Sequence, residues 1–138
     1  MINEDAVLET NQRFYKAIND QNLMFMKKLW YDNYRSLCLH PGGQVIRGYD
    51  SIIQSWQDIF SSPDSMEIRL ENVDIVADTD LAWVSCEETF FFISPEGVKT
   101  SKACAANIFK RVNDTWKMVL HHASTLPDLS MEEDLLLR

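Results

Sequence analysis

Met66-Glu67-Ile68-Arg69-Leu70-Glu71-Asn72-Val73-Asp74-Ile75-Val76-Ala77 alternates apolar and polar side chains, but not in one phase. Met66, Ile68 and Leu70 share one parity; Val73, Ile75 and Ala77 share the other. A slip of one residue at Glu71–Asn72 is the pattern of a β-bulge, which bends a strand instead of ending it. The stretch therefore predicts a long, curved strand.

The period of two continues downstream. Asp78-Thr79-Asp80 reads as a turn, Leu81 to Ile93 as a strand, Ser94-Pro95-Glu96-Gly97 as a turn and Val98 to Val112 as a strand. Asn113-Asp114 then turns the chain into a last strand, Trp116 to Ser124. Long strands joined by tight turns form an antiparallel meander.

Upstream the period is helical. Ala6, Val7, Phe14 and Ile18 mark a helix over residues 3–19, with Glu4 and Asp5 at the end where the helix dipole favours negative charge. Leu23, Met26 and Trp30 mark a second, short helix. Ser36 to His40 reads as a short strand closed by Pro41-Gly42-Gly43, and Ile52, Ile53, Trp56, Ile59 and Phe60 form the stripe of a third helix capped by Asp50 or Ser51. Helices before a meander give an α+β domain, with N-terminal helices packed in the concave face of a strongly curved, mostly antiparallel sheet, a cone or half-barrel. Residues 1–126 are read as that domain and 127–138 as a C-terminal tail, acidic and then leucine-rich.

A chain of 138 residues, 46% hydrophobic and 25% charged, has enough material for a single core without staples. Its net charge of −8 and scattered Lys and Arg argue against a nucleic-acid partner. Its apolar runs, such as Phe90 to Ile93, are too short to span a bilayer. Cys38, Cys86 and Cys104 are odd in number and widely spaced inside predicted strands, the pattern of reduced packing residues in a cytoplasmic protein.

Four stretches carry a resemblance: Phe14-Tyr15-Lys16-Ala17-Ile18-Asn19; Leu39-His40-Pro41-Gly42-Gly43 with Arg47-Gly48-Tyr49-Asp50; Asn107-Ile108-Phe109-Lys110-Arg111; and Trp116 through His121-His122-Ala123-Ser124. Together they resemble the SnoaL-like, nuclear transport factor 2-like superfamily over most of the chain. The last stretch is also similar to the association domain of calcium/calmodulin-dependent kinases. The positions matching the base, the helix tyrosine and the strand acid of ketosteroid isomerases are His40, Phe14 and Asn107, and all three depart from that pattern. Histidine remains able to act as a base and Asn107 to donate a hydrogen bond; Phe14 has nothing to donate.

Adjacent His121 and His122 must point to opposite faces of their strand, which disfavours a three-histidine metal site. The resemblance implies that Val119, His121 and Ala123 face the cavity. His40, His121 and Asn107 are accordingly the candidate catalytic residues, with Tyr15, Trp30, Tyr34, Trp56, Trp83, Glu87 and Phe109 as candidate ligand contacts. Glu87 is preferred to Glu88 because it shares a face with Trp83 and Ser85. No metal and no cofactor are expected. The expected function is binding of a small apolar or amphipathic ligand, with isomerase- or hydrolase-like acid/base activity as its extension. The alternative is a non-catalytic interaction module like the kinase association domain. A homodimer through the outer sheet face is expected, with Trp116, Met118, Leu120, Cys104, Ala106 and Ile108 exposed there.

Overall fold

The computed structural model describes residues 3–127; the tail segment from Met131 to Arg138 lies outside the described residues. Among the described residues the chain forms α1 (Asn3–Asn19), α2 (Leu23–Leu29), β1 (Leu37–Leu39), β2 (Ile46–Arg47), α3 (Tyr49–Phe60), β3 (Ser65–Ala77), β4 (Leu81–Ser94), β5 (Gly97–Val112) and β6 (Thr115–Thr125). The strands make one sheet in the order β2-β1-β6-β5-β4-β3, antiparallel except where β1 runs parallel to β6. The α+β architecture read from the sequence is the architecture observed.

The slip at Glu71–Asn72 is a real bulge: pairing with β4 shifts between Glu71 and Asp74, and Asn72 takes a left-handed φ of 53°. The bend lets β3 curl around α1. There Asn19 closes the helix onto the strand, donating from Nδ2 to the Ile68 carbonyl (3.0 Å) and accepting from the Ile68 amide (2.8 Å). One side chain thus supplies the pairing that a neighbouring strand would have given.

Two local features differ from the sequence reading. Strand β2 carries no periodicity in its two residues and exists because β1 offers it an edge, Cys38 opposite Ile46. Helix α3 opens on Gly48 and not on a side-chain cap at Asp50 or Ser51; Gly48 has φ 88°, a conformation open to glycine at little cost. Helix α2, by contrast, has its cap in Asn22, whose side chain accepts from the Phe25 amide at 3.0 Å.

Strand β6 departs further from strict alternation. Ile108 pairs with Leu120 and Phe109 with Met118, so Val119 is an extra residue without a partner. This second bulge reverses the parity along the strand. Trp116 and Met118 are buried in the core on the same side as His121 and Ala123, not exposed on the outer face as expected. Leu120 and Ile108 do face outward, half-buried, and Ala106 and Cys104 are exposed there.

Candidate functional site

Helix α3 lies over the open end of the cone and leaves a cavity of about 740 Å³ beneath it. Trp56, Phe60, Ile68, Phe90 and Ala103 give it apolar walls, while His40, Glu88 and His121 add titratable groups. Lys99, Glu96 and Asp64 also contribute to its lining. This combination of apolar enclosure and a few convergent polar groups is the ordinary form of a small-molecule site.

The polar groups form a directed chain. Asn107 Oδ1 can only accept, so His121 Nδ1 carries the proton of their 2.6 Å hydrogen bond. Asn107 Nδ2 donates to Tyr15 Oη (3.0 Å) and to Asn11 Oδ1 (2.9 Å), and Tyr15 Oη donates to Glu88 Oε2 at 2.6 Å. Four elements supply the links: α1 gives Asn11 and Tyr15 one turn apart, β5 gives Asn107, and its neighbours β4 and β6 give Glu88 and His121. Both ends of the chain belong to residues that line the cavity. His121 Nε2 and Glu88 Oε1 take no hydrogen bond among the described residues.

His40 stands at the end of β1 with its ring edge-on to Trp56, centroids 4.7 Å apart. Ser55 Oγ donates to the Ile52 carbonyl (2.6 Å) and so accepts from His40 Nε2–H at 2.9 Å, leaving His40 Nδ1 as the basic nitrogen. The two imidazoles are therefore fixed in opposite tautomers, their centroids 6.4 Å apart.

Burial governs the charge state. It lowers His121 to about 3, helped by the neighbouring His40 and His122, and lowers His40 to about 4, so both rings are neutral at physiological pH. Burial also raises Glu88, a shift partly reversed by the hydrogen bond from Tyr15. The thiols of Cys38 and Cys86 are pushed up to about 12 and about 11 and stay protonated.

Of the residues singled out from sequence, His40, His121 and Trp56 line the cavity. Asn107 and Tyr15 lie behind its wall, holding His121 and Glu88. Trp30 and Phe109 are buried in the core and not among the lining residues. Tyr34 is 80% exposed and stands over a separate, smaller cleft with Asp32 and Arg47. Trp83, 46% exposed, and Glu87, which accepts from Asn72 Nδ2 at 2.9 Å, face the opposite side of the sheet. Glu88, 1% exposed, is the acid on the cavity side. The parity of β4 is set by Ala82, Val84 and Cys86, small side chains that fit against the helices; bulky Trp83 points away. That run of small residues was the available signal for Glu88.

The description "SnoaL-like domain" fits residues 7–128. The F-box protein SKIP8 of Arabidopsis thaliana is 30% identical over 121 residues, 88% of this chain, which spans about half (50%) of that relative's length. A nuclear transport factor 2-like protein of Streptomyces avermitilis, provisionally described as a dehydratase, superposes with a TM-score of 0.86 at 24% identity, covering 91% of this chain and 98% of that one. The CaMKII hub of S. rosetta superposes with a TM-score of 0.75 at 21% identity, covering 91% and 98%. At these identities the structural likenesses establish the fold.

Proposed function

The chain belongs to the SnoaL-like domain family, and from that premise we propose that residues 1–126 form a domain binding a small, largely apolar molecule beneath α3. The observation that carries the reading is the aromatic-walled cavity of about 740 Å³ with uncharged imidazoles and a carboxyl group on one wall. In its acid/base extension His121 Nε2 accepts a proton, Glu88 supplies one, and Asn107 and Tyr15 hold both in place. His40, tied to Ser55, is the second base. The free thiols of Cys38, Cys86 and Cys104 suit a reducing, cytoplasmic setting; among the described residues no helix is long and apolar enough to cross a membrane.

The test uses the neutral fluorophore N-phenyl-1-naphthylamine. Wild type should enhance its emission, and Ala103→Phe, which fills the cavity from one wall, should abolish the enhancement while retaining native circular dichroism. No enhancement with wild type, or equal enhancement with a folded Ala103→Phe, overturns the reading.

A second reading, an association module, has its own observation. Val76, Trp83, Ile108, Leu120 and Leu37 pair in succession across β3, β4, β5, β6 and β1, on the face away from the helices. This apolar stripe suits a homodimer packed sheet to sheet. The two readings are compatible, because the stripe and the cavity occupy opposite faces.

A further inference from the structure

The hydrogen bonds around the cavity leave an unequal set of groups for a ligand. His121 Nδ1–H, Asn107 Nδ2 and Tyr15 Oη–H all donate to protein acceptors, and His40 Nε2–H donates to Ser55. Among the lining groups described, His121 Nε2, His40 Nδ1 and Glu88 Oε1 are left as acceptors, and the carboxyl groups of Asp64 and Glu96 line the cavity as well. Trp56 Nε1, also without a partner, is a neutral donor on the same lining, and Lys99 is the one Lys or Arg described there against the three acids Asp64, Glu88 and Glu96. A ligand carboxylate would meet Lys99 and that one N–H but also three acids, an acid-rich lining that opposes a second anion. A ligand that itself donates hydrogen bonds meets three acceptors, His121 Nε2, His40 Nδ1 and Glu88 Oε1.

Glu88 sharpens the choice among donors. It is buried beside Phe90, Ile68 and Ala103 on the cavity wall, with one carboxyl oxygen satisfied by Tyr15 and the other by nothing described. Such a group is costly as an unpaired anion and becomes favourable when a cation pairs with it. We propose that the cavity takes an amphipathic amine, its nitrogen paired with Glu88 Oε1 and its apolar body against Trp56, Phe60 and Phe90; this deepens, and rests on, the small-molecule reading above.

Protons balance in either entry route. A neutral amine takes the proton of the Glu88 carboxylic acid and becomes the ammonium partner of the carboxylate formed. An amine that arrives protonated pairs directly with ionised Glu88. Both routes end in the same ion pair inside an apolar enclosure, where charge-assisted hydrogen bonds are strong.

The experiment compares three probes with one ring system by titration calorimetry near neutral pH: 1-naphthylmethylamine, 1-naphthylmethanol and 1-naphthoate. The amine should bind wild type at least about tenfold more tightly than the alcohol, and the acid most weakly. Glu88→Gln, a neutral isostere, should remove that preference, bringing the amine's affinity to within about twofold of the alcohol's. Equal binding of amine and alcohol, strongest binding of the acid, or an amine preference that survives in Glu88→Gln overturns the amine assignment while leaving the small-molecule reading intact. Failure of all three probes to bind wild type overturns both.

Discussion

Asn107 Oδ1 accepts the Nδ1 proton of His121 across 2.6 Å, and this contact selects which imidazole nitrogen is left to the cavity. An amide oxygen has no proton to give, so it fixes the tautomer without adding charge. His121 is consequently a weak but correctly oriented base. Its affinity for a proton is set by burial beside Phe14 and Trp56, ring centroids 5.0 and 6.2 Å away.

Replacing the amide by a charge should reverse that balance. In Asn107→Asp the carboxylate would favour the imidazolium, and His121, lowered to about 3 in the native protein, should titrate at a higher pH. Histidine ring resonances followed by NMR across the acid range check this; an unmoved His121 titration would mean that the two side chains do not touch.

Tyr15→Phe removes the middle link. The Oη–H to Glu88 Oε2 is lost, and Asn107 Nδ2 loses an acceptor, both in the core. The expected loss of stability is about 1–3 kcal/mol, the cost of leaving buried polar groups unsatisfied. Denaturant unfolding should show it as a lower midpoint with an unchanged slope.

Stability should fall as the solution is acidified from about pH 7 to about pH 5. The ordinary histidine value is 6.5, while His40 and His121 are held near 4 and 3 in the fold. Below 6.5 the unfolded chain therefore takes up protons that the folded chain refuses, and each ring contributes up to about 1.4 kcal/mol per pH unit until its folded value is reached. Glu88 acts in the other direction, since its raised value lets the folded state bind a proton first and gain stability as pH falls. His121→Gln should flatten the acid slope of the unfolding midpoint. A wild-type midpoint independent of pH over this range would contradict neutral, buried imidazoles.

Ile108 and Met118 separate assembly from folding. Ile108→Glu places a charge in the outer apolar stripe and should convert a sedimenting dimer to monomer with the fold intact. Met118→Ala, at a site with 0% exposure, should cost about 2–5 kcal/mol of stability and leave association unaltered. A wild type that sediments only as a monomer at micromolar concentration would remove the dimer from consideration.

Much of this arrangement was legible in the sequence, and the exceptions have physical reasons. The bulge at Asn72 showed itself because apolar residues on both sides of it are large enough to mark their phase. The bulge at Val119 did not, because Met118, Val119 and Leu120 are all apolar and no parity can be read through them. Strict alternation through that run points Trp116 and Met118 outward, one residue out of phase with the bulged strand. The inner placement of His121 follows from the family resemblance and does not depend on that alternation. Glu88 was obscured by Trp83, whose size drew the inner face of β4 to the wrong parity. Tyr34 reads as a pocket aromatic only until Gly48 packs against its backbone and the ring is left in solvent.

Val119 is a spare residue. Because it has no partner on β5, its removal would leave Trp116 and Met118 inward on one side of the cut and His121 and Ala123 inward on the other. The side-chain pattern of β6 thus tolerates the deletion, and only the local bend is lost. Length in this strand governs the curvature of the wall, whereas residue identity governs what the wall presents. Shortening β6 by that one residue should change the bend of the wall beside His121 without exchanging His121 for His122, so that the shape of the sheet and the side chains it presents become separately adjustable within a single strand.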